Sequence, residues 1–71
     1  MYLQFWFIGD SRTFRITDVK ELFRLKRDYE KYQEDSTSIT VDYYTCEVEG
    51  GERFQRKSVI FHEIDRMEVT V

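Results

Sequence analysis

The chain is predicted to fold as one α+β domain, residues 1–71, with the element order β-β-α-β-β-β and an antiparallel sheet carrying one helix on a face. Three observations lead there. A single stretch, from about residue 18 to 34, repeats its apolar residues at helical spacing. The runs on either side are β-branched and aromatic and are separated by glycine-containing turn signals. There is no proline anywhere in the 71 residues, and no linker-like or repeated segment.

Residues 2–8 form the first strand. Leu3, Phe5 and Phe7 point one way and Tyr2, Trp6 and Ile8 the other, with Gln4 the one polar member. A strand apolar on both faces is covered on both, so Tyr2, Trp6 and Ile8 are expected to meet a second protomer in a homodimer. Gly9-Asp10-Ser11 is a turn signal. Residues 12–16 return with Phe14 and Ile16 inward, which makes an N-terminal hairpin.

Thr17 or Asp18 caps the helix, and Asp18 with Glu21 has the form of a capping box. Val19, Leu22, Phe23, Leu25, Tyr29 and Tyr32 fall on the core side, and Lys20, Arg24, Arg27, Asp28 and Lys31 on the other. The helix should end near Glu34. Residues 37–48 form the next strand, with an apparent phase slip at Tyr43-Tyr44 that suggests a bulge. Glu49-Gly50-Gly51-Glu52 reads as a two-residue type I′ hairpin turn, which would set Cys46 opposite Gln55, His62 opposite Ile39 and Glu49 opposite Glu52. Residues 53–61 return, 62–65 make a corner, and the last strand follows with Met67, Val69 and Val71 inward.

A chain this short buries only about 60% of its unfolded surface. Aromatic residues are 17% of the sequence, and large rings fill a small core efficiently. Cys46 is the single cysteine, so no disulfide is available within the chain and a reducing compartment is expected. No segment approaches the ~20 apolar residues of a membrane helix. The N-terminal apolar run lacks the basic leader and cleavage site of a signal peptide. These features predict a soluble cytoplasmic protein.

The candidate chemistry is sparse. Cys46 and His62 stand far apart in sequence and, in the expected register, on opposite faces. They offer neither the ligand pairs of a zinc site nor a nucleophile–base pair. Gly50-Gly51 lacks the spacing and strand-to-helix setting of a phosphate loop. No catalytic residue, metal or cofactor is therefore expected. Arg53, Phe54, Arg56 and Lys57 interleave charge with a ring, as a single-stranded nucleic-acid binder does. The net charge of −3 speaks against a general basic footprint.

The acidic residues are more pointed. Residues 1–35 hold seven basic and seven acidic side chains, and residues 36–71 hold four basic and seven acidic. Asp42, Glu47, Glu49 and Glu52 cluster on the second hairpin with no Lys or Arg between them. Carboxylates two apart on a strand are about 6.8 Å apart, comparable to the spacing of backbone phosphates. In its short length, lack of proline, aromatic richness and this acidic group, the chain resembles the small early proteins with which bacteriophages take over a host. Some of these are dimeric DNA mimics that occupy HU-like nucleoid proteins. The resemblance implies a non-enzymatic inhibitor that presents Asp42, Glu47, Glu49 and Glu52 to a basic, DNA-binding host protein. The alternatives are direct single-stranded nucleic-acid binding through Arg53, Phe54, Arg56 and Lys57, or an accessory subunit of a larger complex.

Overall fold

In a computed structural model, described for residues 1–35, 39–51 and 53–71, the strands are β1 (Tyr2–Phe7), β2 (Phe14–Ile16), β3 (Thr40–Glu47), β4 (Phe54–Ile60) and β5 (Ile64–Thr70). The helix α1 (Val19–Asp35) lies between β2 and β3. All five strands join one antiparallel sheet in the order β4-β3-β2-β1-β5. The expected α+β class and element order are therefore those of the structure.

The sheet cannot be flat. β4 and β5 sit at opposite edges, with three strands between them, which is about 19 Å at the usual strand spacing. Yet only the 3₁₀ turn Phe61–Glu63 connects them, and a chain of that length reaches about 14 Å when fully extended. The sheet must coil so that its two edges approach. This gives it a concave inner face and a convex outer face.

The inner face holds the core. Cross-strand partners Leu3 and Ile16, Phe5 and Phe14, and Val41 and Val59 alternate into it. Leu22 and Leu25 of α1, Tyr43, Phe61 and Ile64 complete the buried cluster. The helix packs on β1, β2 and β3. Tyr29 and Tyr32 set their rings 6.0 and 5.8 Å from Phe61. Toward the turn end of the sheet, beyond the helix, Phe5, Phe7 and Phe14 pack on one another. Lys57 lays its ammonium over Phe14, 4.7 Å from the ring centre.

Asp18 caps the helix: its Oδ1 accepts from the Glu21 N–H at 3.0 Å, and its carbonyl takes the first helical bond from Leu22. The reciprocal half of the capping box is not used, because the Glu21 carboxylate is committed elsewhere. Val19 and Phe23, expected in the core, are half exposed at 49% and 52%. The buried stripe is narrower than the apolar one and follows Leu22, Leu25, Tyr29 and Tyr32. At the other end of the chain Val69 and Val71 are also exposed. Met67 alone of that set packs on the core.

The second hairpin departs from the expected register by one residue. Its turn is a 3₁₀ segment, Val48–Gly50, closed by Gly51 at φ 92°. A type I′ turn needs positive φ at both central residues, and only Gly51 adopts it. The longer turn sets Cys46 opposite Phe54 and Thr45 opposite Gln55. The bulge expected at Tyr43-Tyr44 is not there. β3 pairs with β4 without a shift, and the irregularity falls between Trp6 and Phe7 in the β1–β5 pair. Tyr43 and Cys46 have opposite parity yet are both buried, because β3 is covered on both faces. Tyr43 lies in the core, and Cys46 sits between its cross-strand neighbours Arg15 and Phe54. Residues 37 and 38, expected to begin this strand, lie outside the described residues.

Candidate interaction surface on the outer sheet face

Parity decides which side chains reach the outer face. From β1 they are Tyr2, Gln4 and Trp6, from β2 Arg15, and from β5 Arg66, Glu68 and Thr70. From the second hairpin they include Asp42, Tyr44, Cys46, Phe54, Arg56 and Ser58. Among the described residues no α-helix covers this face, since α1 packs on the other side.

Arginine and aromatic side chains pair across it. The Arg15 guanidinium lies 4.4 Å from the Tyr2 ring centre, and that of Arg66 lies 4.1 Å from Trp6. Such stacked contacts are worth about 0.5–1 kcal/mol at exposed sites. They half-cover the rings of the first strand from within the chain. The Trp6 indole N–H also donates to Thr13 Oγ1 at 2.9 Å. Of the residues expected at a dimer contact, Tyr2 and Trp6 are thus on one face and half buried. Ile8 sits past the end of β1 and is 66% exposed. At the far side of the face, Tyr44 and Phe54 stack with ring centres 5.7 Å apart and planes at 26°. Tyr44 is half exposed, and its cross-strand partner is Arg56.

The four acids expected to form a row are dispersed. Asp42 stands on the outer face, where Oδ1 accepts from Ser58 Oγ at 2.7 Å. Glu47 is opposite Phe14 on the inner side, 3.5 Å from the Arg12 guanidinium. Glu49 turns back to accept from the Thr13 backbone N–H. Glu52 lies outside the described residues. The physical reason is the turn. A 3₁₀ segment points Glu49 toward the loop between β1 and β2, where Arg12 and Thr13 meet these carboxylates. Asp10 belongs to the same cluster. Its two oxygens take three bonds from the Arg12 guanidinium and one from the Arg12 N–H, which lowers its pKa to about 2.

The basic-aromatic set also divides. Phe54 and Arg56 share the outer face, whereas Lys57 points inward over Phe7 and Phe14. Arg53 precedes β4 and lines a shallow depression with Glu47, Gly50, Gly51 and Gln55. Sequence reasoning passed over Tyr44, Arg15 and Arg66 as surface residues. The parity of β3 and β5 was the available signal, but the misplaced bulge obscured it for Tyr44.

A cleft of about 350 Å³ opens on the inner face beyond the helix, lined among others by Arg12, Phe14, Thr45, Glu47, Gln55 and Lys57. Arg12 is paired with acids, and Lys57 is held over rings, so its charges are directed at the protein itself. Cys46 is buried and His62 exposed. Among the described residues no three His, Cys, Asp or Glu side chains converge as a metal site, and no helix is long and apolar enough to cross a membrane.

Searches against protein-family models, curated proteins and solved structures find no match to this chain.

Proposed function

We propose that the protein is a non-enzymatic protein-binding module whose contact surface is the outer face of its sheet. The observation that supports this most is the juxtaposition there of Tyr2, Trp6, Tyr44 and Phe54 with Arg15, Arg56 and Arg66. Tyr, Trp and Arg are the side chains most enriched among residues that dominate binding energy at protein interfaces. They offer large rigid area at low entropic cost and a planar donor that stacks. The face is built on strands, so its side chains are fixed before a partner arrives. The single buried cysteine suits a reducing cytoplasmic setting.

The narrower reading, an inhibitor that shows a DNA-like acidic row to a basic host protein, draws less from this geometry. Glu47 and Glu49 are engaged with Arg12 and Thr13, leaving Asp42 as the one described member of that group on the outer face. Direct binding of single-stranded nucleic acid is the second reading. It is favoured by the Tyr44–Phe54 stack beside Arg56, a ring platform with a cation next to it.

Affinity capture from cell lysate separates these readings when run with the wild-type chain and a Tyr44→Ala/Arg56→Ala variant, each with and without nuclease. A protein retained by the wild type, lost with the variant and indifferent to nuclease is the expected result. A bound species that nuclease removes points to the second reading. Equal recovery by both chains would place the contact elsewhere.

A further inference from the structure

We infer that β5 is a self-pairing edge, and that two copies of the chain join through it into one continuous antiparallel sheet about a two-fold axis passing by Met67. Among the described residues β5 pairs with β1 alone, and no strand lies beside its other edge. Exposed edges are ordinarily guarded by lysine, proline, bulges or like charge. β4, at the opposite edge, is guarded in this way: it carries Arg56 and Lys57 and no acid between Phe54 and Ile60. Pairing β4 with its own copy therefore brings no opposite charges together. β5 has neither lysine nor proline, and its irregularity, at Asp65, lies near its start, outside the stretch Arg66–Glu68.

The order of charges along β5 selects both the partner and the register. A two-fold axis normal to the sheet keeps the two outer faces on the same side, so paired residues must have the same parity. Centring the axis on Asp65, Arg66 or Glu68 sets that charge against itself, which is unfavourable. Centring it on Val69 leaves Ile64, Asp65 and Arg66 without a partner. Centring it on Met67 sets Arg66 against Glu68 of the second copy, twice by symmetry, and Met67 against Met67 of the second copy on the inner side. Arg66 and Glu68 are both well exposed and meet only loosely within one chain, at 3.8 Å, so an ion pair across the axis replaces a weak one. The inference rests on the β5 edge and not on what the outer face binds.

A cysteine at the axis tests it. Directly paired strand residues have Cα atoms about 4.5–5.5 Å apart, within disulfide range, and the native Cys46 is buried. Under mild oxidation, purified Met67→Cys should become a covalent dimer. Val69→Cys should not, because the two copies of residue 69 would stand roughly 13 Å apart at ~3.3 Å per residue. Sedimentation equilibrium gives an independent readout without cysteine chemistry. Arg66→Glu should weaken association about tenfold, and Arg66→Glu/Glu68→Arg should return it to near the wild-type value. Crosslinking of Val69→Cys in preference to Met67→Cys would overturn the register. A monomer at every concentration, or growth past the dimer into chains with β5 on a neighbour's β4, would overturn the inference itself.

Discussion

Glu21 and Arg24, one helical turn apart, complete the sheet where β2 stops short. Their side chains bond to each other at 2.9 and 3.1 Å. Arg24 then donates to the Asp42 carbonyl at 2.7 Å, and Glu21 accepts from the Tyr44 N–H at 2.9 Å. These two backbone groups belong to the edge of β3 that β2, only three residues long, does not reach. A fork of one acid and one guanidinium thus takes the place of a strand. The Arg24 guanidinium also lies 4.3 Å from the Tyr43 ring centre.

Replacing Arg24 with Ala should therefore cost about 1.5–3 kcal/mol, the range for a hydrogen bond involving a charged group. Replacing Glu21 with Ala should cost a similar amount. Because each holds the other in place, the double variant should cost less than the two single losses combined, with a coupling of roughly 0.5–3 kcal/mol. Urea titrations of the four proteins check this, and strict additivity would mean that the two residues act separately.

Tyr43 is the largest fully buried side chain, and its hydroxyl donates to Asp28 Oδ2 at 2.7 Å. Burial first, and the neighbouring Asp28 carboxylate second, push its pKa far above the ordinary value of 10.0. The phenol stays neutral in the folded protein while it ionises in the unfolded chain. Stability from this group is complete below pH 10 and declines as the pH climbs past it. Tyr43→Phe should flatten that alkaline decline and, at neutral pH, cost about 1–2 kcal/mol for the lost bond. Thermal melts of both proteins between pH 8 and 11 give the comparison.

The opposite end of the pH scale belongs to Asp10. Its folded pKa of about 2 lies below the unfolded 3.8, so its contribution is present above the unfolded value and disappears as the pH falls toward 2. Asp10→Asn should leave a chain whose stability depends less on pH across that interval. Melting temperatures recorded from pH 5 down to 2 would show whether the two curves converge.

Trp6→Ala should cost about 2 kcal/mol, roughly half the 3–5 kcal/mol of a fully buried tryptophan, because the ring is half covered by Arg66 and tied to Thr13. A denaturation midpoint unchanged from wild type would show that these contacts add nothing.

Much of the fold was legible from local signals. The helix boundaries follow from Asp18 and from the apolar period through Tyr32. The strand order in the chain follows from alternation and from the turns at Gly9 and Gly50-Gly51. What local signals could not reveal was register. The pair Gly50-Gly51 is compatible with both a type I′ turn and a 3₁₀ turn, and the difference of one residue redirects Glu47 and Glu49. The outer face was half visible in Tyr2 and Trp6. The role of Arg24 was hidden because an arginine on the polar side of a helix is ordinarily solvated, and only the shortness of β2 gives it a backbone carbonyl to meet.

The placement of β1 carries a consequence for biosynthesis. Of the five strands, β1 is made before the others, and it lies between β2, which follows at once, and β5, which is made after all of them. Until translation reaches residue 70, one whole flank of that aromatic segment has no neighbour, and the half-made chain must hold Phe5, Trp6 and Phe7 beside an open strand edge. Pairings between distant parts of a chain form slowly, and this one has to wait for synthesis as well. The nascent protein should thus be most vulnerable to aggregation, and most in need of a chaperone, in the interval just before β5 appears.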